Sequence, residues 1–369
     1  MHIKIIEILF VIIMGLMMGT KDSKIMRRSY IILCSILFLV VAAFRSPEWM
    51  TAAYGIDTAV YRNYFNQAID MSWDEIGSAL RERYVIRTGD FDIGYYVICK
   101  LIGLFTSDFG IFSLLADLLF FVPFGMMIYR YSTNMKQVMF AYVFYLALIQ
   151  TYLIGGARQI FAIGLDIMAF LAILNKRRIM AIVFFLLGVT VHFSSLLFFI
   201  PFLMIWFNVK ETPLKIFHVV MLLLVPVALL MPNEIILLMG DISGLEKYSN
   251  YGAHAVQGGA DTYVILIELL SIFCLIAIKK KNLKDNENMR KFYVMVPLLT
   301  FFAPLIKSNG SMDRITLNYY LYLVVLIPYA IECVFNQQNK KTVYAIVIGA
   351  LAFLIVANDN FIYYFYWQR

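Results

Sequence analysis

The sequence is poor in charged residues. Only 15% of its 369 residues are Asp, Glu, Lys or Arg, and 62% are hydrophobic. A soluble domain is about 25% charged and roughly 45–50% apolar. A chain of this length cannot bury so large an apolar fraction in a core surrounded by water. The composition therefore excludes a soluble enzyme, a soluble nucleic-acid-binding protein and a disordered regulator.

Cysteine is also scarce. The four cysteines are far apart, and the chain contains no CxxC motif and no Cys/His cluster. They are Cys34, Cys99, Cys274 and Cys333. The sequence therefore implies neither a disulfide framework nor a metal site.

Long apolar runs, in contrast, recur along the whole chain. A helix needs about 20 apolar residues to cross ~30 Å of hydrocarbon. The runs lie at 3–19, 29–44, 111–129, 137–153, 158–174, 178–190, 193–209, 214–238, 262–279, 292–306, 314–334 and 342–357. This pattern predicts an all-α, polytopic integral membrane protein with about 12 transmembrane helices (about 10–13). We interpret residues 1–369 as a single transmembrane domain.

The distribution of basic residues predicts the orientation. If the N-terminus lies outside, most Lys and Arg residues fall in inner loops, as the positive-inside rule requires. The net charge of +7 is then loop charge, and no nucleic-acid partner is expected. Both termini are predicted on the outer face, with a long outer segment at 45–110 and a second outer loop at 240–261. The apolar stretch 93–105 is too short to span and predicts an amphipathic or re-entrant helix.

Ionisable residues inside the apolar runs are costly in a bilayer and mark function by default. Asp117, Arg158, Asp166 and Glu268 lie in the predicted outer halves of their runs, and His192 lies in an outer hairpin. Arginine matches phosphate oxygens, and a nearby carboxylate can abstract a proton from a hydroxyl. The pattern therefore favours a lipid-phosphate sugar donor bound at the outer face.

Five short motifs occur in a fixed order. They are Phe44-Arg45 with Tyr54-Gly55-Ile56-Asp57 and Tyr61; Asp92-Ile93-Gly94-Tyr95-Tyr96; Ala157-Arg158-Gln159-Ile160-Phe161-Ala162; His192-Phe193-Ser194-Ser195; and Asp313-Arg314-Ile315 with Tyr319 and Tyr320. Together they resemble the EpsG family of exopolysaccharide clusters, which is akin to Wzy-type O-antigen, capsule and exopolysaccharide repeat-unit polymerases. The resemblance covers about residues 30–330 and departs at Asp92, where the family has Glu.

The resemblance implies a fold related to the GT-C glycosyltransferases, in the bacterial cytoplasmic membrane, with its active site on the outer face. The growing glycan would leave undecaprenyl pyrophosphate and join the non-reducing end of an incoming lipid-linked repeat unit. The implied partners are undecaprenyl-pyrophosphate-linked oligosaccharides, membrane lipid and a chain-length regulator protein. Related polymerases work without a divalent metal, so neither metal nor cofactor is expected.

The motif positions supply the candidate site residues. Asp57 or Asp92 could be the general base, and His192 could be a base or a pyrophosphate contact. The candidates for pyrophosphate binding are Arg45, Arg158, Arg314 and Gln159. The candidates for sugar binding are Tyr61 and Tyr95. Structural roles compete with these: an arginine can anchor a helix end, an aspartate can cap a helix, and tyrosines form interfacial belts.

Two other functions remain open from the sequence. A flippase or transporter of lipid-linked oligosaccharides would also need arginines for pyrophosphate, but along most of the depth of a central cavity. A membrane O-acyltransferase would need a buried catalytic His that is reached from the cytoplasm, whereas the predicted layout puts His192 on the outer side.

Overall fold

A computed structural model describes residues 2–46, 57–86, 92–150, 156–243, 261–280, 285–309, 312–357 and 363–367. Residues 54–56 of the first motif and most of the predicted loop 240–261 lie outside these ranges. The chain divides into two compact units, one formed by Met1–Leu196 with Tyr344–Arg369 and the other by Leu197–Val343. The single transmembrane domain stays a prediction.

The first unit is helical wherever it is described as far as Val191, apart from short connections. Its helices are α1 (Ile3–Gly19), α2 (Lys24–Ala43), α3 (Thr58–Asp70), α4 (Trp73–Arg81), α5 (Ile93–Gly103), α6 (Phe109–Tyr131), α7 (Met135–Phe144), α8 (Ala157–Leu174) and α9 (Arg178–Val191). Two π-helical turns, Glu82–Ile86 and Tyr145–Ile149, follow α4 and α7. The predicted helix at 93–105 is confirmed as α5, and its placement in the membrane stays a prediction.

The second unit is built in the same way. Its helices are α10 (Phe199–Trp206), α11 (Glu211–Leu230), α12 (Pro232–Ser243), α13 (Asp261–Ala277), α14 (Glu287–Tyr293), α15 (Met295–Phe302), α16 (Asp313–Tyr320) and α17 (Leu323–Val334), and α18 (Gln337–Ala357) follows them. A buried polar network ties three of them together, because His218 of α11 contacts the Tyr293 hydroxyl and lies 2.7 Å from the Ser271 hydroxyl of α13.

Close helix packing organises the first unit. α6 packs between α2 and α8, α9 lies along α8, and α5 contacts both α3 and α9. Gly164 allows the contact between α8 and α6, since a Cβ atom there would lie 2.1 Å from the Leu119 carbonyl oxygen. The N-terminal halves of α3, α5 and α8 are thereby brought into one region.

The exposed surface has the pattern expected in lipid. Apolar side chains of α6 remain exposed at helical spacing, at Ile111, Leu115, Leu118, Val122 and Met126. Within the described ranges, six helical segments are long and apolar enough to cross a membrane, or up to seven if the bent pair α16 and α17 is one span. The chain is thus an all-helical, multi-pass membrane protein.

The predicted count of about 12 spans is not confirmed, because several apolar runs form short or broken helices. The run at 137–153 forms α7 and a π-helical turn, and the run at 193–209 forms a 3-10 turn (Phe193–Phe198) followed by α10. The run at 314–334 bends by 51° between α16 and α17. The GT-C-like fold likewise stays a prediction.

Candidate functional site

Arg158 lies in the first turn of α8 and forms an ion pair with the residue that precedes α5. Its Nη1 is 3.2 Å from Oδ2 of Asp92, and 26% of the Arg158 side chain and 10% of the Asp92 side chain are exposed. The arginine Nε is buried and has no hydrogen-bond partner among the described residues. Arg158 thus keeps unused donor capacity at the start of a candidate membrane span.

Two tyrosines of α3 cover the same guanidinium. Its central carbon lies 5.9 Å from the ring centroid of Tyr61 and 5.4 Å from that of Tyr64. These distances suit a cation–π contact. We call Tyr61, Tyr64, Asp92 and Arg158 the Arg158 cluster; it joins the first three sequence motifs.

Gly94 brings the fourth motif to this region. A Cβ atom at Gly94 would lie 2.7 Å from the carbonyl carbon of Thr190 and 2.8 Å from the backbone nitrogen of Val191. Only glycine permits such a close approach of α5 to the end of α9. Asp92 lies two residues before Gly94, at the N-cap position of α5. His192 follows Val191 directly and is the C-cap of α9.

The imidazole of His192 is held through its Nδ1 atom. Its Nδ1 accepts a hydrogen bond from the backbone N–H of Ser194 at 3.2 Å and lies 2.7 Å from the Ser194 hydroxyl. A nitrogen that accepts from a backbone N–H carries a lone pair, so the proton of the neutral ring lies on Nε2. This geometry favours His192 as an Nε2–H donor over His192 as a base.

The tyrosines of the second motif form the core beneath the cluster. Tyr95 is fully buried, stacks on Phe161 at 5.8 Å and contacts Tyr61 at 5.9 Å between ring centroids. Tyr96 packs on Tyr64 at 5.8 Å. Both predicted sugar-binding residues, Tyr61 and Tyr95, thus lie at the site, and Tyr95 supports it from below.

Neither candidate base caps its own helix. Asp57 and Asp92 hold the N-cap positions of α3 and α5, yet neither side chain makes a capping hydrogen bond. Asp92 is engaged with Arg158 instead. Asp57 is half-buried and lies one turn before Tyr61 on α3. The capping alternative is therefore removed for both carboxylates.

Arg45 holds α3 in place. It is 3% exposed, its Nε donates to the Thr58 hydroxyl at 2.8 Å, and its Nη1 donates to the Ala42 carbonyl. No contact of the described residues links Arg45 to Arg158. The geometry gives Arg45 the role of a support for α3, the helix that carries Tyr61.

The C-terminal segment Tyr363–Trp367 packs on Arg45 and its neighbours, and we call it the C-terminal strap. The backbone N–H of Ser46 donates to the Tyr364 carbonyl at 2.9 Å, and that of Tyr366 donates to the Phe44 carbonyl at 2.9 Å. The Tyr363 hydroxyl also donates to the Val41 carbonyl. The strap fixes the end of α2, on which Arg45 depends.

The remaining predicted residues are less central to the cluster. Gln159 is 3% exposed and lies beside Arg158 on α8. Arg314 is an exposed residue of α16 in the second unit, and its role in pyrophosphate binding stays a prediction. In the described ranges, no group of three or more His, Cys, Asp or Glu side chains is placed to hold a metal ion.

Sequence reasoning missed three residues of this region. Tyr64 lies three residues after Tyr61, so helical spacing could have placed it on the same face. Arg83 belongs to the π-helical turn after α4. Its guanidinium carbon lies 5.9 Å from the Phe193 ring centroid. Gly94 stood inside a motif, but no local pattern indicates which backbone it approaches.

Deeper in α8, a second carboxylate lies two turns below Arg158. Asp166 is 2% exposed, and its carboxylate lies beside the Ser195 hydroxyl. A Cβ atom at Gly188 would lie 2.9 Å from Asp166 Oδ1 and 3.3 Å from the Ser195 hydroxyl. Gly188 thus leaves room for this carboxylate between α8 and α9.

The geometry supports anion binding. One partly exposed guanidinium is oriented by a carboxylate and two aromatic rings, and the contact between α5 and α9 brings His192 towards the same region. Such a set can hold a phosphate group and stabilise negative charge that develops on it.

Comparison with known proteins identifies one family. The model described as "EpsG family" matches residues 28–366, which is nearly the whole chain. No curated protein and no solved structure matches the chain. The match extends to Tyr366 and therefore includes most of the C-terminal strap.

Proposed function

The chain belongs to the EpsG family, and from this membership we propose that it polymerises lipid-linked repeat units at the outer face of the cytoplasmic membrane. The growing glycan would pass from undecaprenyl pyrophosphate to the non-reducing end of an incoming lipid-linked unit. The observation that carries this proposal is Arg158, whose guanidinium is partly exposed and held by Asp92 at the start of a membrane span.

In the proposed reaction, Arg158 binds the donor diphosphate. The bond between the acceptor oxygen and the anomeric carbon forms, the bond from that carbon to the diphosphate oxygen breaks, and the electron pair leaves with the diphosphate. Arginine remains protonated throughout and offsets the charge that accumulates on the leaving group. Asp92 positions the guanidinium.

The proton of the acceptor hydroxyl would pass to Asp57. Asp92 is less suited to this role because it already pairs with Arg158. His192 would donate its Nε2–H to a diphosphate oxygen, and Gln159 would contribute a further donor. Arg314, which belongs to the second unit, would contact a diphosphate, and Tyr61 would border the sugar nearest to the diphosphate that Arg158 binds.

The experiment is a complementation assay in the source bacterium with the gene deleted. Glycan length is measured with wild-type protein, Arg158→Ala, Arg158→Lys and, as a matched control, Arg28→Ala, which removes an exposed arginine near the start of α2. We expect long chains with wild type and Arg28→Ala, and single repeat units with Arg158→Ala despite normal protein levels. Arg158→Lys should restore little, since lysine lacks the planar fork.

Two outcomes would reject the proposal. Long polymer in the deletion strain would show that another protein is the polymerase. Absence of even single units from the outer face would instead favour the flippase or transporter.

A further inference from the structure

Two adjoining cavities lie along α6, and the first of them also borders the end of α8 that is opposite to Arg158. One is a groove of about 360 Å³ lined almost wholly by apolar side chains of α6, α8 and α9. The other is a pocket of about 600 Å³ at the start of α2 and the end of α6. Met126 lines both. Their volumes fall in the range of small-molecule sites, about 300–1,000 Å³.

The pocket is strongly basic. Its lining includes Lys24, Arg27 and Arg130, and Arg177 lines the groove. Arg27 lies 3.4 Å from Asp22 and is partly neutralised. Lys24 and Arg130 have no carboxylate partner in the part of the chain that the structure describes. The pocket therefore carries positive charge without a matching anion.

The groove is suited to a hydrocarbon chain. Leu118, Val122 and Met126 belong to the exposed apolar stripe of α6, and the groove continues over Met168 and Leu171 of α8. A chain lying there would keep its apolar contacts while one end reached the basic pocket beside Met126. Tyr129, 43% exposed, borders that pocket, where an aromatic ring suits the head-group level of a bilayer.

We propose that the two cavities form one site for an anionic phospholipid, with its phosphate among Lys24, Arg27 and Arg130 and one acyl chain in the groove. Charge complementarity selects this occupant over a zwitterionic lipid, because the pocket holds cations from two helix ends. The predicted topology puts these ends on the cytoplasmic face, where anionic lipids attract basic segments. This site is separate from the Arg158 cluster and does not depend on the proposed function.

The test uses the purified full-length chain in detergent. Retained lipid is counted by native mass spectrometry after addition of dioleoyl phosphatidylglycerol or dioleoyl phosphatidylcholine. The wild type should retain the first in preference to the second. The double variant Lys24→Gln/Arg130→Gln should lose about thirtyfold in affinity for phosphatidylglycerol, since two cations near the phosphate are removed.

Two further variants make the result specific. Lys279→Gln/Lys280→Gln removes the same charge from exposed positions that line neither cavity, and it should bind as wild type does. Met126→Trp keeps every cation but blocks the junction of the cavities at an exposed position, and it should lose the bound lipid. Glycerol 3-phosphate, which has the phosphate but no chains, should not compete.

Four results would overturn the proposal. They are equal retention of the two lipids by wild type, an unchanged preference in Lys24→Gln/Arg130→Gln, an unchanged preference in Met126→Trp, and displacement of the lipid by glycerol 3-phosphate. The last would identify a site for free phosphate.

Discussion

Arg158 and Asp92 form a pair whose stabilising and catalytic roles can be separated. If Arg158 is neutralised alone, the mostly buried carboxylate of Asp92 loses this ion pair. Loss of such an interaction by a buried polar group costs about 1–3 kcal/mol, and the partial exposure of this pair places the cost at the lower end.

The first prediction compares Arg158→Gln with Arg158→Gln/Asp92→Asn. The single variant should be less stable by about 1 kcal/mol, and the double variant should regain that stability because both charges of the ion pair are removed together. Polymer formation should stay about 10²–10³-fold reduced in both, as for loss of a group that stabilises developing charge. Thermal unfolding in detergent measures the change in stability, and glycan length measures polymer formation. Recovery of polymer in the double variant would show that the ion pair is only structural.

The second prediction concerns which nitrogen of His192 acts. In His192→Gln the side-chain amide can place an N–H near the former Nε2, whereas in His192→Asn it lies near the former Nδ1. A donor role predicts that the glutamine variant keeps much of the polymer length and the asparagine variant loses it. If both variants fail equally while both proteins fold, His192 acts as a base after all.

The sequence motifs predicted which residues lie close together in the first unit, and the chemical roles of these residues stay predictions. Arg158, Asp92 and His192 were each singled out by type and position, and the structure brings them to neighbouring elements. The support role of Arg45 was not predictable, because it depends on Thr58 and on a segment about 320 residues away. Sequence spacing carries no information on such long-range partners.

In the first unit, some glycines allow two helices to pack closely, and others face open space. Substitution of one glycine of each kind tests the close contact. Gly94 faces the backbone of Thr190 and Val191, whereas a Cβ atom at Gly77 of α4 would meet nothing within 4 Å. The third prediction is that Gly94→Ala destabilises the protein by about 1–3 kcal/mol, since backbone must shift. Gly77→Ala should be neutral or stabilising by up to ~1 kcal/mol.

The same variants report on the site. Because α5 carries Asp92, a shift forced by Gly94→Ala should also shorten the glycan, and Gly77→Ala should leave glycan length unchanged. Thermal unfolding and the glycan ladder together check this. Equal stability of the two variants would contradict the close contact between α5 and α9.

Element type was predictable, and element continuity was not. Apolar composition marks a run as helical in a membrane, but it does not show where the run bends. The π-helical turn after α7 and the bend between α16 and α17 occur inside runs that read as continuous. Both breaks leave the number of membrane spans open, because a broken helix can either cross the membrane or return to the side from which it entered.

For the whole molecule, the C-terminal strap links the last part of the chain to the end of α2. The fourth prediction is that removal of residues from Tyr363 onwards lowers stability by about 3 kcal/mol, from three hydrogen bonds worth about 1 kcal/mol each. Tyr366→Phe is the control, because it removes only a weak 3.4 Å contact to Asp108. Unfolding temperatures compare the two, and an equal stability of truncated and full-length protein would show that the strap contributes nothing.

The C-terminal strap could not be predicted from the sequence. Its five residues, Tyr363–Trp367, are all aromatic, which at a membrane surface predicts only an interfacial belt. The strap is held by backbone hydrogen bonds to Phe44 and Ser46, and the amino-acid composition does not indicate such bonds.

The strap also sets an order of events during biosynthesis. Ribosomes add roughly 5–20 residues per second, so the partner of Val41, 322 positions later, emerges on the order of 15–60 seconds after it. Throughout that interval the backbone of Arg45 and Ser46 lacks the C-terminal strap that later pairs with it. Closure around Arg45 is therefore a late step of maturation, and a chain that ends before Tyr363 lacks the three hydrogen bonds that hold the end of α2.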